Sequence, residues 1–123
     1  MIVKKWSIYR ANLDPVIGSE QGKSRPVLVI SEDQINELLN SVNVIPITSR
    51  KSGRKIYPNE TLISANNFGL DKESIILCHQ IRTLDKLRLS QEYGHIGDTA
   101  LQSEVFDALC FQLGIDRDIG TNH

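Results

Sequence analysis

The chain has 123 residues, 40% of them apolar and 24% charged, with a formal net charge of −1 at pH 7. That length suits one domain over residues 1–123 with room for a real core. No run of about 18 apolar residues is available to cross a membrane, and a near-neutral balance argues against binding nucleic acid through bulk charge.

The first residues, MIVKKWSIYR, carry two lysines but no apolar segment or small-residue cleavage site behind them, so a cytoplasmic protein is expected. The small net charge hides an asymmetry. Residues 1–55 hold nine Lys/Arg against five Asp/Glu, a balance of +4, and residues 56–123 come to −5. A basic half on a neutral protein suits a local groove for an anion.

In chain order, WSIYRANL (6–13) mixes aromatic and apolar residues with polar ones and predicts a first strand. DPVIGSEQGKS follows as a long loop broken by Pro15, Gly18 and Gly22. RPVLVIS is a buried second strand with Pro26 at its entry, where a missing N–H costs least. EDQINELLN predicts a short helix, with Ser31 as cap and Ile35, Leu38 and Leu39 on one face.

VNVIPITS (42–49) is a third strand, and Pro46 inside it suggests an edge or a bulge. RKSGRK is a basic turn around Gly53, and ETLIS and ESIILCHQIRTL read as further strands. HIGDTALQSEVFDALCFQLGI closes the chain as a helix, with Asp98 as N-cap, Leu101, Val105, Leu109 and Leu113 every four residues, and Gly114 as its stop. Short strands between glycine and proline turns, plus a terminal helix packed on them, predict a mainly β protein with α: a small, curled, mostly antiparallel barrel.

Polar residues gather at strand ends and in the loops beside them. Arg25 stands at the mouth of the second strand, and Glu20 and Gln21 lie on the loop before it. Thr48, Ser49 and Arg50 close the third strand, and His79, Gln80 and Arg82 follow the apolar run Ile75–Cys78. Together they suit RNA cleavage through the 2′-hydroxyl. A guanidinium fork matches phosphoryl oxygens and stabilises a phosphorane, and a threonine hydroxyl orients a phosphate oxygen. Glu20 or His79 can handle protons, a task for which arginine is unsuited.

Other chemistries have no support. There is no G-x-S-x-G elbow, Walker A loop or G-x-G-x-x-G turn. His79, His95 and His123 show no metal-ligand spacing, so no metal and no cofactor is expected. Cys78 and Cys110 form no C-x-x-C and read as small buried residues.

Three blocks, NLDPVIGSEQGKSRPVLVIS, VIPITSR and QIRTLDKLRL, strongly resemble the signature blocks of the MazF/PemK toxins of bacterial toxin–antitoxin systems, in their order and spacing over about residues 8–89. The resemblance implies an SH3-like barrel and a homodimer that cuts single-stranded mRNA at short sequences without metal, leaving 2′,3′-cyclic phosphate and 5′-hydroxyl ends. It also implies a cognate MazE-like antitoxin that occupies the RNA groove. By the same resemblance Arg25 and Thr48 are the catalytic pair, and Glu20, Gln21 and Gln80 line the site. Ser19, Lys23, Ser31, Ser49, Arg50 and Arg82, in or beside these blocks, are expected RNA contacts.

Three positions depart from the pattern. His79 stands where relatives often carry an acid, leaving Glu20 or His79 as the proton acceptor. Arg10 replaces a frequent aromatic and Glu32 a frequent asparagine, and an acid near the RNA favours a base donor such as cytosine N4. The alternative from another class is a non-catalytic toxin on the same fold that grips a protein such as DNA gyrase. The presence of both Arg25 and Thr48 favours the enzyme.

Overall fold

The computed structural model describes residues 1–117; His123 lies outside them. Seven strands and two helices follow in the order β1 (Ser7–Asn12), β2 (Ser24–Val29), α1 (Asp33–Leu38), β3 (Ser41–Ser49), β4 (Glu60–Ile63), β5 (Ser74–Leu77), β6 (Arg82–Asp85), β7 (Leu89–His95) and α2 (Thr99–Leu113). All strand pairs are antiparallel, in the order β4-β5-β3-β2-β1-β7, with β6 also on β3. The expected barrel is not closed. β4 and β7 stand at the two ends of the order and do not pair with each other.

Alternate residues of the central strands enter two separate cores. Ile8, Leu28, Ile45, Ile47 and Ile76 face one core, where Val105 and Ala108 of α2 join them. Tyr9, Ala11, Val27, Val29, Val42 and Val44 face the other, closed by Leu84 of β6 and Leu89 of β7. A strand buried on both faces loses the apolar–polar alternation, which is why Val27–Ile30 reads as an unbroken apolar run.

β3 is the hub, not an edge. Val44–Pro46 pairs with β2 on one side. On the other side, Ser41–Val44 pairs with β6 and Ile47–Ser49 with β5. Pro46 falls in the gap between those two ladders, where its missing N–H leaves nothing unpaired. The segment expected as one strand bends at that gap: Cys78–Gln80 form a 3₁₀ turn between β5 and β6. β7 went unread because its pattern is mostly polar and exposed, as befits an outer strand, and its pairing with β1 is broken by two register shifts.

α2 follows its sequence signals. Asp98 Oδ1 accepts from the N–H groups of Ala100 (2.9 Å) and Leu101 (3.2 Å), and Gly114 ends the helix at φ 68°. Leu101, Val105 and Leu109 pack on the core, whereas Leu113 lies past it and is exposed.

α1 reverses its expected face. Ile35, Leu38 and Leu39 are 44%, 78% and 50% exposed, and the buried residue is Asn36. Asn36 explains the inversion: its amide donates to the Ser31 carbonyl (2.9 Å) and its oxygen accepts from the Ser31 hydroxyl. That hydroxyl also accepts from the Asn43 N–H (3.0 Å), so Ser31 ties α1 to β3 and does not cap the helix. Glu32 occupies the N-cap without a side-chain capping bond.

At the start of β4, the Glu60 side chain is 3% exposed and accepts both terminal nitrogens of Arg54, at 2.9 and 2.7 Å. The Arg54 hydrogen bonds hold the Glu60 carboxyl below its ordinary range; burial opposes this, and the Tyr57 N–H assists. A depressed folded-state pKa stabilises fully above the unfolded carboxylate value, and the contribution is lost as pH falls through the folded one. Glu60→Gln should therefore cost about 2 kcal/mol near neutral pH. The gap to the parent should close in acid, as read by denaturant unfolding across pH.

Candidate active site

Arg25 is the second residue of β2 and Thr48 the next-to-last of β3. The β2–β3 ladder pairs Val29 with Val44, Leu28 with Ile45 and Val27 with Pro46, and Arg25 and Thr48 each lie two residues past its last pair. Both alternate with core valines on the same face, so their side chains emerge together where the strands leave the core. They line one open groove of about 340 Å³, with Ser49, Ser74, Lys72 and Tyr93 also on its walls.

Arg25 is half-buried and oriented from one side only, its Nε donating to the Gly22 carbonyl at 3.0 Å. Among the described residues its two terminal nitrogens make no hydrogen bond or ion pair. A guanidinium steered through Nε with its outer fork open is arranged to receive phosphoryl oxygens. The Thr48 hydroxyl likewise has no hydrogen-bond partner among the described residues.

A second group lies on the loop between β1 and β2. The Gln80 amide receives the Gln21 N–H (3.2 Å) and donates to the Ser19 carbonyl (3.3 Å), clamping the loop to the 3₁₀ turn. Arg82 holds the base of the same loop through the Leu13 carbonyl at 3.2 Å. The Gln21 side-chain oxygen is buried without a hydrogen-bond partner among the described residues. Glu20 folds back to accept the Ile17 N–H at 2.7 Å. Lys23 is exposed at φ 63°, its N–H bound to Asp14 Oδ1 (2.8 Å).

The remaining candidates stand apart from the groove. His79 is exposed on the 3₁₀ turn. Arg50 pairs with Glu73 (3.0 Å) and donates from Nε to the Arg54 carbonyl (2.8 Å). Ser31 is committed to Asn36 and Asn43, and Glu32 is paired with Lys5. The fold thus unites Arg25, Thr48 and Ser49 in the groove, and leaves Glu20 and His79 outside its lining.

Sequence reading missed the far wall, made by Lys72 on the β4–β5 loop and by Tyr93 on β7. Its one legible sign was the glycine punctuation at Gly69 and Gly94. Gly69 has φ 81°, and a Cβ there would lie 2.0 Å from the Tyr93 carbonyl; one on Gly94 would lie 2.4 Å from the Phe68 carbonyl. Only two glycines let these backbones approach so closely.

Among the described residues no three His, Cys, Asp or Glu side chains assemble to hold a metal, and no helix is long and apolar enough to cross a membrane. Both cysteines are free thiols, and burial pushes Cys78 up to about 12, leaving it unreactive.

The family model for PemK-like, MazF-like toxins of type II toxin–antitoxin systems matches residues 4–113. The chain belongs to this family. Endoribonuclease EndoA of Bacillus subtilis (strain 168) is 41% identical over 115 residues, covering 94% of this chain and 97% of EndoA. MazF from Deinococcus radiodurans (Form-I) superposes with a TM-score of 0.78 at 28% identity, over 94% of this chain and 99% of that one. A MazE–MazF structure from the same organism (Form-II) gives 0.69 at 28% identity, over the same shares. The resemblance carried by the three sequence blocks therefore extends across nearly the whole PemK/MazF-like toxin.

Gly69→Ala tests whether the far wall depends on the close glycine contact. The left-handed φ and the clash with Tyr93 should cost at least about 2 kcal/mol. A lower unfolding midpoint is expected, whereas Ala at Gly53, where a Cβ meets nothing within 4 Å, should cost less.

Proposed function

We propose that this toxin is a sequence-specific, ribosome-independent endoribonuclease that cuts single-stranded mRNA by attack of a ribose 2′-hydroxyl on the adjacent phosphorus. The bond from O2′ to phosphorus forms and the bond from phosphorus to O5′ breaks, leaving a 2′,3′-cyclic phosphate and a 5′-hydroxyl. One proton leaves O2′ and one is delivered to O5′, so no water, metal or cofactor is consumed. The reading rests above all on the open Arg25 fork set beside Thr48 in one groove. The name of EndoA, the 41% identical relative, supports it.

In this proposal Arg25 binds the non-bridging oxygens and stabilises the phosphorane as its charge grows. Thr48 orients one of those oxygens, and Ser49 extends the polar wall. Glu20, on the β1–β2 loop whose Gly22 carbonyl holds Arg25, or His79, on the 3₁₀ turn, transfers the protons. Ser19, Gln21, Lys23 and Gln80 contact the RNA along the clamped loop. Ser31, Arg50 and Arg82 support those surfaces through the bonds they make within the fold. The alternative of a toxin that only grips a protein gives no task to an arginine fork held open beside a hydroxyl.

The proposal also takes the chain as one cytoplasmic toxin domain, residues 1–123, on an SH3-like barrel left open between β4 and β7. It acts as a homodimer and is neutralised by a cognate MazE-like antitoxin. The D. radiodurans MazE–MazF structure supports the last point.

Purified protein incubated with a long single-stranded RNA in excess EDTA should give discrete cuts with 5′-hydroxyl ends. Arg25→Ala should lower the rate by roughly a hundredfold or more, and Thr48→Ala by a smaller but clear factor. Both should keep the parent's unfolding midpoint. Uncut RNA from folded protein, or full cleavage by Arg25→Ala, would contradict the proposal.

A further inference from the structure

Apart from Arg50, the basic turn between β3 and β4, residues 50–59, has no task in the groove chemistry, yet it is built with care. It starts immediately after Ser49 in the groove, and the Arg50 N–H donates to the Glu73 carbonyl (2.8 Å) next to Ser74. Gly53 at φ 73° lets the turn reverse, and the Arg54 N–H closes it on the Lys51 carbonyl (3.0 Å). Arg50 is neutralised by Glu73 and Arg54 by Glu60. At its far end Asn59 donates to Gln112 of α2 at 2.9 Å. The loop is thus braced against the start of β4, the residue before β5 and α2.

This bracing leaves the heads of three side chains open to solvent. Lys51 and Lys55 are exposed and have no carboxylate partner among the described residues. Tyr57 is 51% exposed, with the Lys55 ammonium 5.6 Å and the Arg54 guanidinium 5.9 Å from its ring centroid. Two ammonium groups without a carboxylate partner among the described residues, one of them beside a half-exposed aromatic ring on the same braced loop, match the repeating chemistry of single-stranded nucleic acid. A base offers a face to stack, and each nucleotide adds one negative phosphate. An acidic peptide would use the lysines but has no systematic need of the ring.

We infer that this loop is an RNA-tracking platform, on which a nucleotide outside the cut site stacks on Tyr57 while Lys51 and Lys55 bind flanking phosphates. The inference rests on the proposed ribonuclease reading and extends it past the groove. The platform would hold a long RNA as it leaves the Arg25–Thr48 groove, and a short RNA confined to the groove would not reach it.

The test uses 2′-O-methylated RNAs, which lack the nucleophile and bind uncut. They carry the mapped cut sequence at the centre and run to about six and about sixteen nucleotides, the range of single-strand site sizes. For Lys51→Ala/Lys55→Ala, the salt dependence of log Kd for the longer RNA should flatten by roughly 1.4, or about 0.7 per lost phosphate contact. Tyr57→Ala should weaken the longer RNA by about tenfold or more, and Tyr57→Trp should retain its binding. Binding of the shorter RNA should match the parent in all three, with unchanged unfolding midpoints.

If the parent cuts and binds RNA while the variants bind the longer RNA as it does, the platform is overturned and the ribonuclease reading stands. The platform is equally overturned if the variants lose affinity only for an acidic protein partner. If the parent neither cuts nor binds RNA, both readings fall together.

Discussion

The antiparallel register between β2 and β3 is the constraint on which the site depends. Val27, Val29, Val42 and Val44 are buried in one core, and Leu28, Ile45 and Ile47 in the other. A slip of one residue would exchange the two sets and turn every side chain to the wrong face. The burial that specifies this register for the core also carries Arg25 and Thr48, each two residues past its last pair, out into one groove. Core packing and site geometry are thus consequences of one ladder, and neither catalytic candidate needs a long-range bond to hold it.

Around this ladder the protein uses polar bonds to hold loops and leaves selected groups unengaged. Gln80 clamps the β1–β2 loop, Arg82 holds its base, and Gly22 steers Arg25 through Nε alone. Glu73 and Glu60 neutralise Arg50 and Arg54, so the positive charge still available near the groove sits on lysines and on the open Arg25 fork. The asymmetry between the basic first half and acidic second half of the chain becomes local in this way. Acids from the second half silence some cations of the first and leave others for an anionic ligand.

Much of this was legible in the sequence because local signals agreed with the tertiary outcome. Arg25 before an apolar strand, Thr48 at the end of another, Asp98 and Gly114 bounding α2 are all positions where residue type dictates local structure. The failures occur where tertiary context overrides pattern. The apolar face of α1 turns outward because Asn36 is held inside by Ser31. Pro46 sits in a central strand because two partner strands meet there and neither needs its N–H. β7 carries no alternation, so Tyr93 and the far wall could be found only through the backbone contact at Gly69 and Gly94.

The central claim is that Arg25 and Thr48 act as one unit because the β2–β3 register sets them side by side. A double-mutant cycle on RNA cleavage tests it most directly, comparing Arg25→Ala, Thr48→Ala and the double variant in single-turnover rates. Groups that serve the same phosphate are non-additive, so the double variant should be little slower than Arg25→Ala alone. A double variant slowed by the full product of the two single losses would mean that the two residues act independently, and would contradict the account.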